Sequence, residues 1–191
     1  MMPMNQDVKS PTELLKEEHR VIERMLRVLD LANEKVLKAR EVPIELYEKA
    51  VDFIRVFADR CHHGKEEETL FPLVEQRGIP KNGPTHVMRI EHEQGRSIVK
   101  ALAEAVERYK KGDVGAKEDI VECARSYERL LSQHIWKEDN VLYPLADGVL
   151  KHSDRVELVQ RFEKVEWERI GEGNHQKYID LVEYLEKAAV G

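Results

Sequence analysis

Two stretches of the chain, HHGKEEETLFP at residues 62–72 and HIWKEDNVLYP at residues 134–144, carry a common pattern. Aligned on their first histidine, they share a lysine, two acidic residues, a leucine, an aromatic residue and a proline at matching positions. A Glu-His pair precedes each stretch, and its histidine lies 43 residues before the first stretch and 42 residues before the second. The chain therefore contains two copies of one unit, each with a lone histidine and a His-x-x-x-Glu segment.

Apolar residues recur every three or four positions around both copies, which is the spacing of an amphipathic α-helix. Ser10 and Glu13 form a predicted capping box at the start of the first helix. Pro72 is expected to kink or end the second helix, because proline interrupts helical hydrogen bonding. No strand pattern of useful length occurs. The predicted helices cover about residues 11–39, 44–76, 87–111, 116–146, 153–170 and 174–189.

These elements predict an all-α fold, an up-down-up-down four-helix bundle with an additional C-terminal helical segment. We expect the bundle over residues 10–148 and the C-terminal extension, packed on the bundle, over residues 150–190. Three roles stay open for the extension: a lid over the bundle, a placement of His175 near the site, or a dimer interface. The residues predicted for that interface are Trp167, Tyr178, Leu181 and Leu185.

The composition excludes several classes of function. The chain has 191 residues, a formal net charge of −6 and 36% charged residues. No long basic run is present, which argues against nucleic acid and against acidic membrane surfaces as partners. No apolar leader or membrane span is evident, and the two cysteines, Cys61 and Cys123, form no CxxC pair. We therefore expect a cytoplasmic protein.

The repeated residues have the chemistry of a metal site. Residues four apart lie one turn apart on the same helical face, so each His-x-x-x-Glu segment directs an imidazole and a carboxylate into one space. Burying two carboxylates among imidazoles is unfavourable unless a cation is present. If each carboxylate bridges two ions, both ions keep open positions for a small ligand. The predicted metal ligands are His19, His62, Glu66, His92, His134 and Glu138.

Three further residues are candidates for an outer shell or for an extra ligand. His63 follows His62, but adjacent helical residues point about 100° apart, which favours an outer or partly exposed position. Tyr127 lies two turns before His134, where it can contact a ligand, serve as a phenolate ligand or simply pack in the core. Glu67 can hydrogen-bond an imidazole, as ligand histidines usually require, or belong to a solvated acidic stripe.

The two motif stretches, together with the Glu-His pairs at residues 18–19 and 91–92, resemble the hemerythrin-like family of HHE cation-binding domains. The resemblance covers about residues 14–146 and implies a four-helix bundle with a non-haem di-iron centre at the six predicted ligands. Oxygen-carrying hemerythrins have a further histidine where this chain has Met88. They also have an aspartate five residues after the histidine that corresponds to His134, whereas in this chain Glu138 follows His134 by four residues. The sequence is more similar to the bacterial and archaeal branch, which is linked to oxygen, nitric oxide, peroxide or iron handling.

The leading hypothesis is a di-iron protein that binds or reacts with oxygen, nitric oxide or peroxide in sensing, storage or detoxification. Zinc and manganese stay alternatives to iron. Any redox activity needs a partner protein for electrons, because no flavin, haem or nucleotide motif is present. The alternatives are an iron storage or delivery protein and a non-catalytic interaction module with a structural metal, and a homo-oligomer stays open. Ferritin-like Glu-x-x-His spacing is absent, since Asp59 and Leu131 stand three residues before the motif histidines.

Overall fold

The computed structural model describes residues 9–39 and 41–190, and these residues form six helices and no strand. The prediction of an all-α fold is therefore confirmed. None of the described helices is both long enough and apolar enough to cross a lipid bilayer. The helices are α1 (Pro11–Ala39), α2 (residues 44–76), α3 (Pro84–Lys110), α4 (residues 116–149), α5 (His152–Ile170) and α6 (Asn174–Val190).

Helices α1 to α4 pack in a ring in which each contacts the next and α4 returns to α1. Short connections make successive helices antiparallel neighbours, as in an up-down-up-down bundle. The predicted capping box starts α1, because the backbone N–H of Glu13 donates to Oγ of Ser10 at 3.2 Å and the backbone N–H of Ser10 donates to Oε2 of Glu13 at 2.7 Å.

The second and fourth helices contain segments with wider, π-helical turns. In α2 these are Ile54–His63 and Glu66–Leu70, and in α4 the segment is Glu138–Leu142. Pro72 does not end α2, and the helix continues to Gln76, which is the end predicted from the sequence. Its missing N–H falls in the first turn of the α-helical segment that follows a π-helical one, where proline is tolerated.

Two apolar clusters fill the interior of the bundle. The larger includes Phe53 and Leu102, and the smaller includes Phe71. On α1, His19 lies between Leu15 of the smaller cluster and Ile22 of the larger cluster. The candidate metal ligands therefore form a polar layer between two apolar ones, which keeps water from that layer.

The C-terminal helices cover one side of the bundle. Helix α5 contacts both π-helical segments of α2, and α6 packs along α1. Leu185 is buried in the larger apolar cluster, and Tyr178 and Leu181 pack against it. Three of the four residues predicted for a dimer interface thus pack within the chain, whereas Trp167 is exposed.

Asp154 joins the start of α5 to the residue that follows α2. Its two carboxylate oxygens accept hydrogen bonds from Nη2 and Nε of Arg77 at 2.6 and 2.8 Å, and one also accepts the backbone N–H of Lys151 at 2.9 Å. These hydrogen bonds, that from Arg77 above all, lower the pKa of Asp154 from 3.8 to about 2.

We expect the stabilising contribution of Asp154 to depend on pH in the acid range. A folded-state pKa below the unfolded-state value gives a contribution that is complete above about pH 4 and is lost as the pH falls toward about 2. The difference in melting temperature between wild type and Asp154→Asn should therefore shrink over that interval. A difference that stays constant down to about pH 2 would show that the carboxylate charge is not involved.

Candidate metal centre

The six predicted ligands converge from all four helices of the bundle and are all buried. Together with His63, the six form two groups, each with ligand atoms within 4.8 Å of one another. The first group is His19, His62 and Glu138, and the second is His63, Glu66, His92 and His134.

Glu138 lies between histidines of the two groups. Its Oε2 is 3.1 Å from Nε2 of His19, and its Oε1 is 3.2 Å from Nε2 of His134. Neither oxygen has a hydrogen bond of acceptable geometry within the described part of the chain. Burying two carboxylate oxygens without a hydrogen bond is energetically unfavourable. A cation between Glu138 and the facing imidazoles would supply the missing partner for both oxygens.

Glu66 occupies the corresponding place in the other half. Its Oε2 lies 3.4 Å from Nε2 of His92 and 3.8 Å from Nε2 of His62, and has no hydrogen bond among the described residues. Its Oε1 accepts a hydrogen bond from the hydroxyl of Tyr143 at 2.8 Å. Each carboxylate thus faces one imidazole from each half, which is the arrangement that a carboxylate shared by two cations requires.

The charge of the carboxylates is visible in the pKa values of their neighbours. Burial lowers the pKa of His19, but Asp139 and Glu138 raise it to about 9. Burial likewise lowers the pKa of His134, and Glu138 and Glu91 raise it to about 10. The centre of the bundle therefore attracts positive charge, and a metal ion would displace protons from these imidazoles.

The Glu-His pairs orient the histidines of the neighbouring helix. Nδ1 of His62 donates to Oε2 of Glu18 at 2.8 Å, and Nδ1 of His134 donates to Oε2 of Glu91 at 2.9 Å. A carboxylate at Nδ1 fixes the tautomer and leaves Nε2 free toward the centre. This role explains why a glutamate precedes each lone histidine. The repeat shows both glutamates, but their role was not predicted from the sequence.

The lone histidines are held across the two halves in the same way. Nδ1 of His19 donates to Oδ1 of Asp139 at 2.7 Å, and Nδ1 of His92 donates to Oε1 of Glu67 at 2.6 Å. Glu67 thus contacts an imidazole rather than forming part of a solvated stripe. The four imidazoles consequently present their Nε2 atoms toward the same centre, and the pattern of outer carboxylates is reciprocal between the repeats.

The aromatic residues at matching repeat positions stack on the lone histidines. The ring of Tyr143 lies 5.4 Å from that of His19, and the ring of Phe71 lies 6.0 Å from that of His92. Tyr143 alone adds a hydroxyl, which contacts Nε2 of His19 at 3.3 Å as well as Glu66. Tyr143 is not among the site residues predicted from the sequence, where its signal is a tyrosine in place of phenylalanine at a repeat position.

The structure places His63 in the interior, where the α-helical spacing had not put it. It is buried, and its ring stacks on that of His92 at 3.7 Å. It ends the π-helical segment Ile54–His63, in which each residue turns the chain by less than the roughly 100° of an α-helix, so His62 and His63 both face inward. Burial, together with nearby imidazoles, holds the pKa of His63 well below its usual value.

Tyr127 forms the wall of a cavity beside the cluster. The cavity measures about 130 Å³ and reaches His63 and His92. Gly95 lines the cavity, and a Cβ added there would lie 3.6 Å from Cε2 of Tyr127, so the absence of a side chain keeps the space open. No hydrogen bond from the Tyr127 hydroxyl to a candidate ligand occurs in the described ranges. Arg55 and Lys100 also line the cavity and are exposed.

The C-terminal helices reach the carboxylate that orients His62. Lys65 is buried and donates from Nζ to Oε1 of Glu18 at 2.6 Å and to Oε2 of Glu166 at 2.8 Å. Nε2 of His175 lies 3.2 Å from the same oxygen of Glu18. His175 is therefore near the site through Glu18, whereas the counterpart of Lys65 in the second half, Lys137, has 34% of its side chain exposed.

Comparison with known proteins gives a consistent result. A family model described as hemerythrin HHE cation binding domain matches residues 10–146. Uncharacterized proteins of Mycobacterium bovis and of two strains of Mycobacterium tuberculosis are 26% identical to the chain over 181 residues. The alignment covers 95% of this chain and 70% of each relative.

Proposed function

Because the chain belongs to the hemerythrin HHE cation-binding family, we propose that its buried cluster holds two iron ions and binds or reacts with oxygen, nitric oxide or peroxide. The position of Glu66 and Glu138, each facing one imidazole from either half, carries the proposal. The proposed ligands of one ion are His19 and His62, those of the other are His92 and His134, and both carboxylates are shared.

A donor set of imidazole and carboxylate without thiolate suits iron or manganese better than a closed thiolate zinc site does. Iron is the proposed metal, and manganese and zinc are the alternatives. Bound iron would supply redox chemistry and coordination positions that the protein side chains leave open. The chain itself holds the imidazoles in one tautomer through their outer carboxylates and surrounds the centre with apolar side chains. The Tyr143 hydroxyl holds a proton at Oε1 of Glu66, within reach of the centre.

A small ligand has a route to the cluster through the cavity beside His63 and His92. Its volume of about 130 Å³ suits a diatomic molecule or peroxide and not a large organic substrate. Ready loss of iron under mild chelation would favour the alternative of an iron storage or delivery protein. A redox partner protein, a homo-oligomer and a cytoplasmic location stay predictions from the sequence.

The direct test is an absorption spectrum of protein that was loaded with Fe(II) without oxygen and then exposed to air, azide or nitric oxide. We expect near-ultraviolet bands that change with each of these ligands. The His134→Ala variant, with a proposed ligand removed, should lose this response. A purified protein that holds zinc, and whose spectrum does not change after iron loading, would contradict the proposal. That result would favour an interaction module with a structural metal.

A further inference from the structure

His63 is the buried histidine that the six proposed ligands leave unused. Its Nε2 is buried and has no hydrogen-bond partner among the residues that the structure describes. Together with Glu66, His92 and His134, it offers ligand atoms that all lie within 4.8 Å of one another. A buried imidazole nitrogen without a partner is unfavourable, so its position in this group needs an explanation.

The other nitrogen of His63 is arranged like those of the proposed ligands. Nδ1 lies 3.3 Å from Oδ1 of Asp59, one turn earlier on α2. Asp59 is itself held by Nε of Arg96 at 2.8 Å. A carboxylate at Nδ1 with Nε2 turned to the centre is the arrangement of His19, His62 and the two histidines of the second half. It is also the usual outer contact of a metal-bound imidazole.

The repeat shows that His63 belongs to one half only. The corresponding residue of the second half is Ile135, which is buried in the larger apolar cluster. The π-helical segment that turns His63 inward, Ile54–His63, also lacks a counterpart before His134, where α4 is α-helical through Lys137. The two ions of the proposed centre would therefore be held by unequal sets of imidazoles.

We propose that His63 is a metal ligand through Nε2, at the ion that also takes His92 and His134. The inference rests on the proposed two-ion centre and makes that centre asymmetric. The ion at His92 and His134 gains a third imidazole, whereas the ion at His19 and His62 does not. The ion at His19 and His62 consequently keeps more open coordination positions than the ion at His92 and His134.

The test compares His63→Ala with the control Tyr127→Phe, which alters the wall of the same cavity without removing a nitrogen. Metal-free proteins are titrated with Fe(II), without oxygen, against a competing chelator. We expect His63→Ala to weaken one of the two ions by at least about tenfold, since even loss of an outer partner has that effect. The other ion and the Tyr127→Phe protein should be little changed.

Free imidazole provides a second readout that a merely structural role would not move. The cavity reaches the position of His63, so imidazole should enter the His63→Ala protein and restore part of the lost affinity. His63→Phe, which keeps a ring against His92, serves if the alanine variant folds poorly and should show the same weakening. The visible spectrum of Co(II) bound in place of iron should change in both variants.

The outcomes separate the two proposals. If wild type and both His63 variants bind two ions with equal affinity, His63 is not a ligand and the two-ion centre stands. If wild type binds fewer than two ions under the same conditions, the two-ion centre fails, and the assignment of His63 fails with it.

Discussion

Glu138→Gln is expected to reduce the metal content from two ions per chain to one or none. The carboxylate is the group that faces both halves of the cluster, with His19 at 3.1 Å and His134 at 3.2 Å. Glutamine preserves the volume of the side chain but removes its negative charge and one oxygen. Each ion would then keep only one anionic ligand, Glu66, in place of two to offset its burial. Elemental analysis after anaerobic Fe(II) loading and gel filtration measures the change.

The control for this substitution is Glu68→Gln. Glu68 lies on α2 near the other shared carboxylate, Glu66, but is partly exposed and pairs with Arg169. It should leave two ions bound. Glu66→Gln should behave like Glu138→Gln, because it stands at the equivalent repeat position. Equal metal content in wild type and both site variants would show that neither carboxylate is a ligand.

Lys65→Met is expected to destabilise the metal-free protein strongly. Lys65 has only 5% of its side chain exposed and bridges Glu18 of α1 and Glu166 of α5. Removing one partner of a buried ion pair costs about 3 to 5 kcal/mol, because the remaining charge, here that of Glu18, stays buried. For a chain of this size, that loss lowers the melting temperature by about 6 to 20 °C. Thermal unfolding in the presence of a chelator isolates this effect from metal binding.

The internal repeat offers a matched control for that variant. Lys137 is the counterpart of Lys65 and pairs with Glu91, but 34% of its side chain is exposed. Lys137→Met should cost no more than about 1 kcal/mol, since solvent screens a pair of this kind. Similar losses of stability for the two variants would mean that the C-terminal helices do not bury Lys65 and its partner Glu18.

The repeat is the part of the site that sequence can identify. The two copies align in register and pair His62 with Glu66 and His134 with Glu138. Residues four apart share one face of a helix whatever the tertiary packing, so the sequence alone places each pair together. The two Glu-His pairs are visible in the same alignment. Their targets are not, because each glutamate orients a histidine on a different helix, and that partner depends on how the helices pack.

The departures from the expected geometry follow from local backbone changes. Regular α-helical spacing turns His63 away from His62, and proline favours a kink or an end at Pro72. The structure has π-helical turns up to His63 and again just before Pro72, and their occurrence depends on tertiary packing around the site. A pattern of apolar periodicity does not encode them, so the inward position of His63 could not be derived from spacing alone.

The C-terminal helices are the least predictable part for a similar reason. They have no counterpart within the repeat, so no second copy indicates which of their residues matter. Leu185 is predicted only as a residue of a dimer interface, whereas the structure buries it in the larger apolar cluster of the chain itself. The approach of Glu166 and His175 to Glu18 depends on where α5 and α6 dock, which the sequence pattern does not specify.

The iron count of the wild-type chain tests the two-ion centre most directly. Metal-free protein is loaded with Fe(II) without oxygen, separated from free metal, and analysed for iron and protein in the same sample. Two irons per chain, falling to one or none in Glu138→Gln, is the expected result. One iron or none in the wild-type chain, with no further binding at higher Fe(II), would contradict the shared-carboxylate centre.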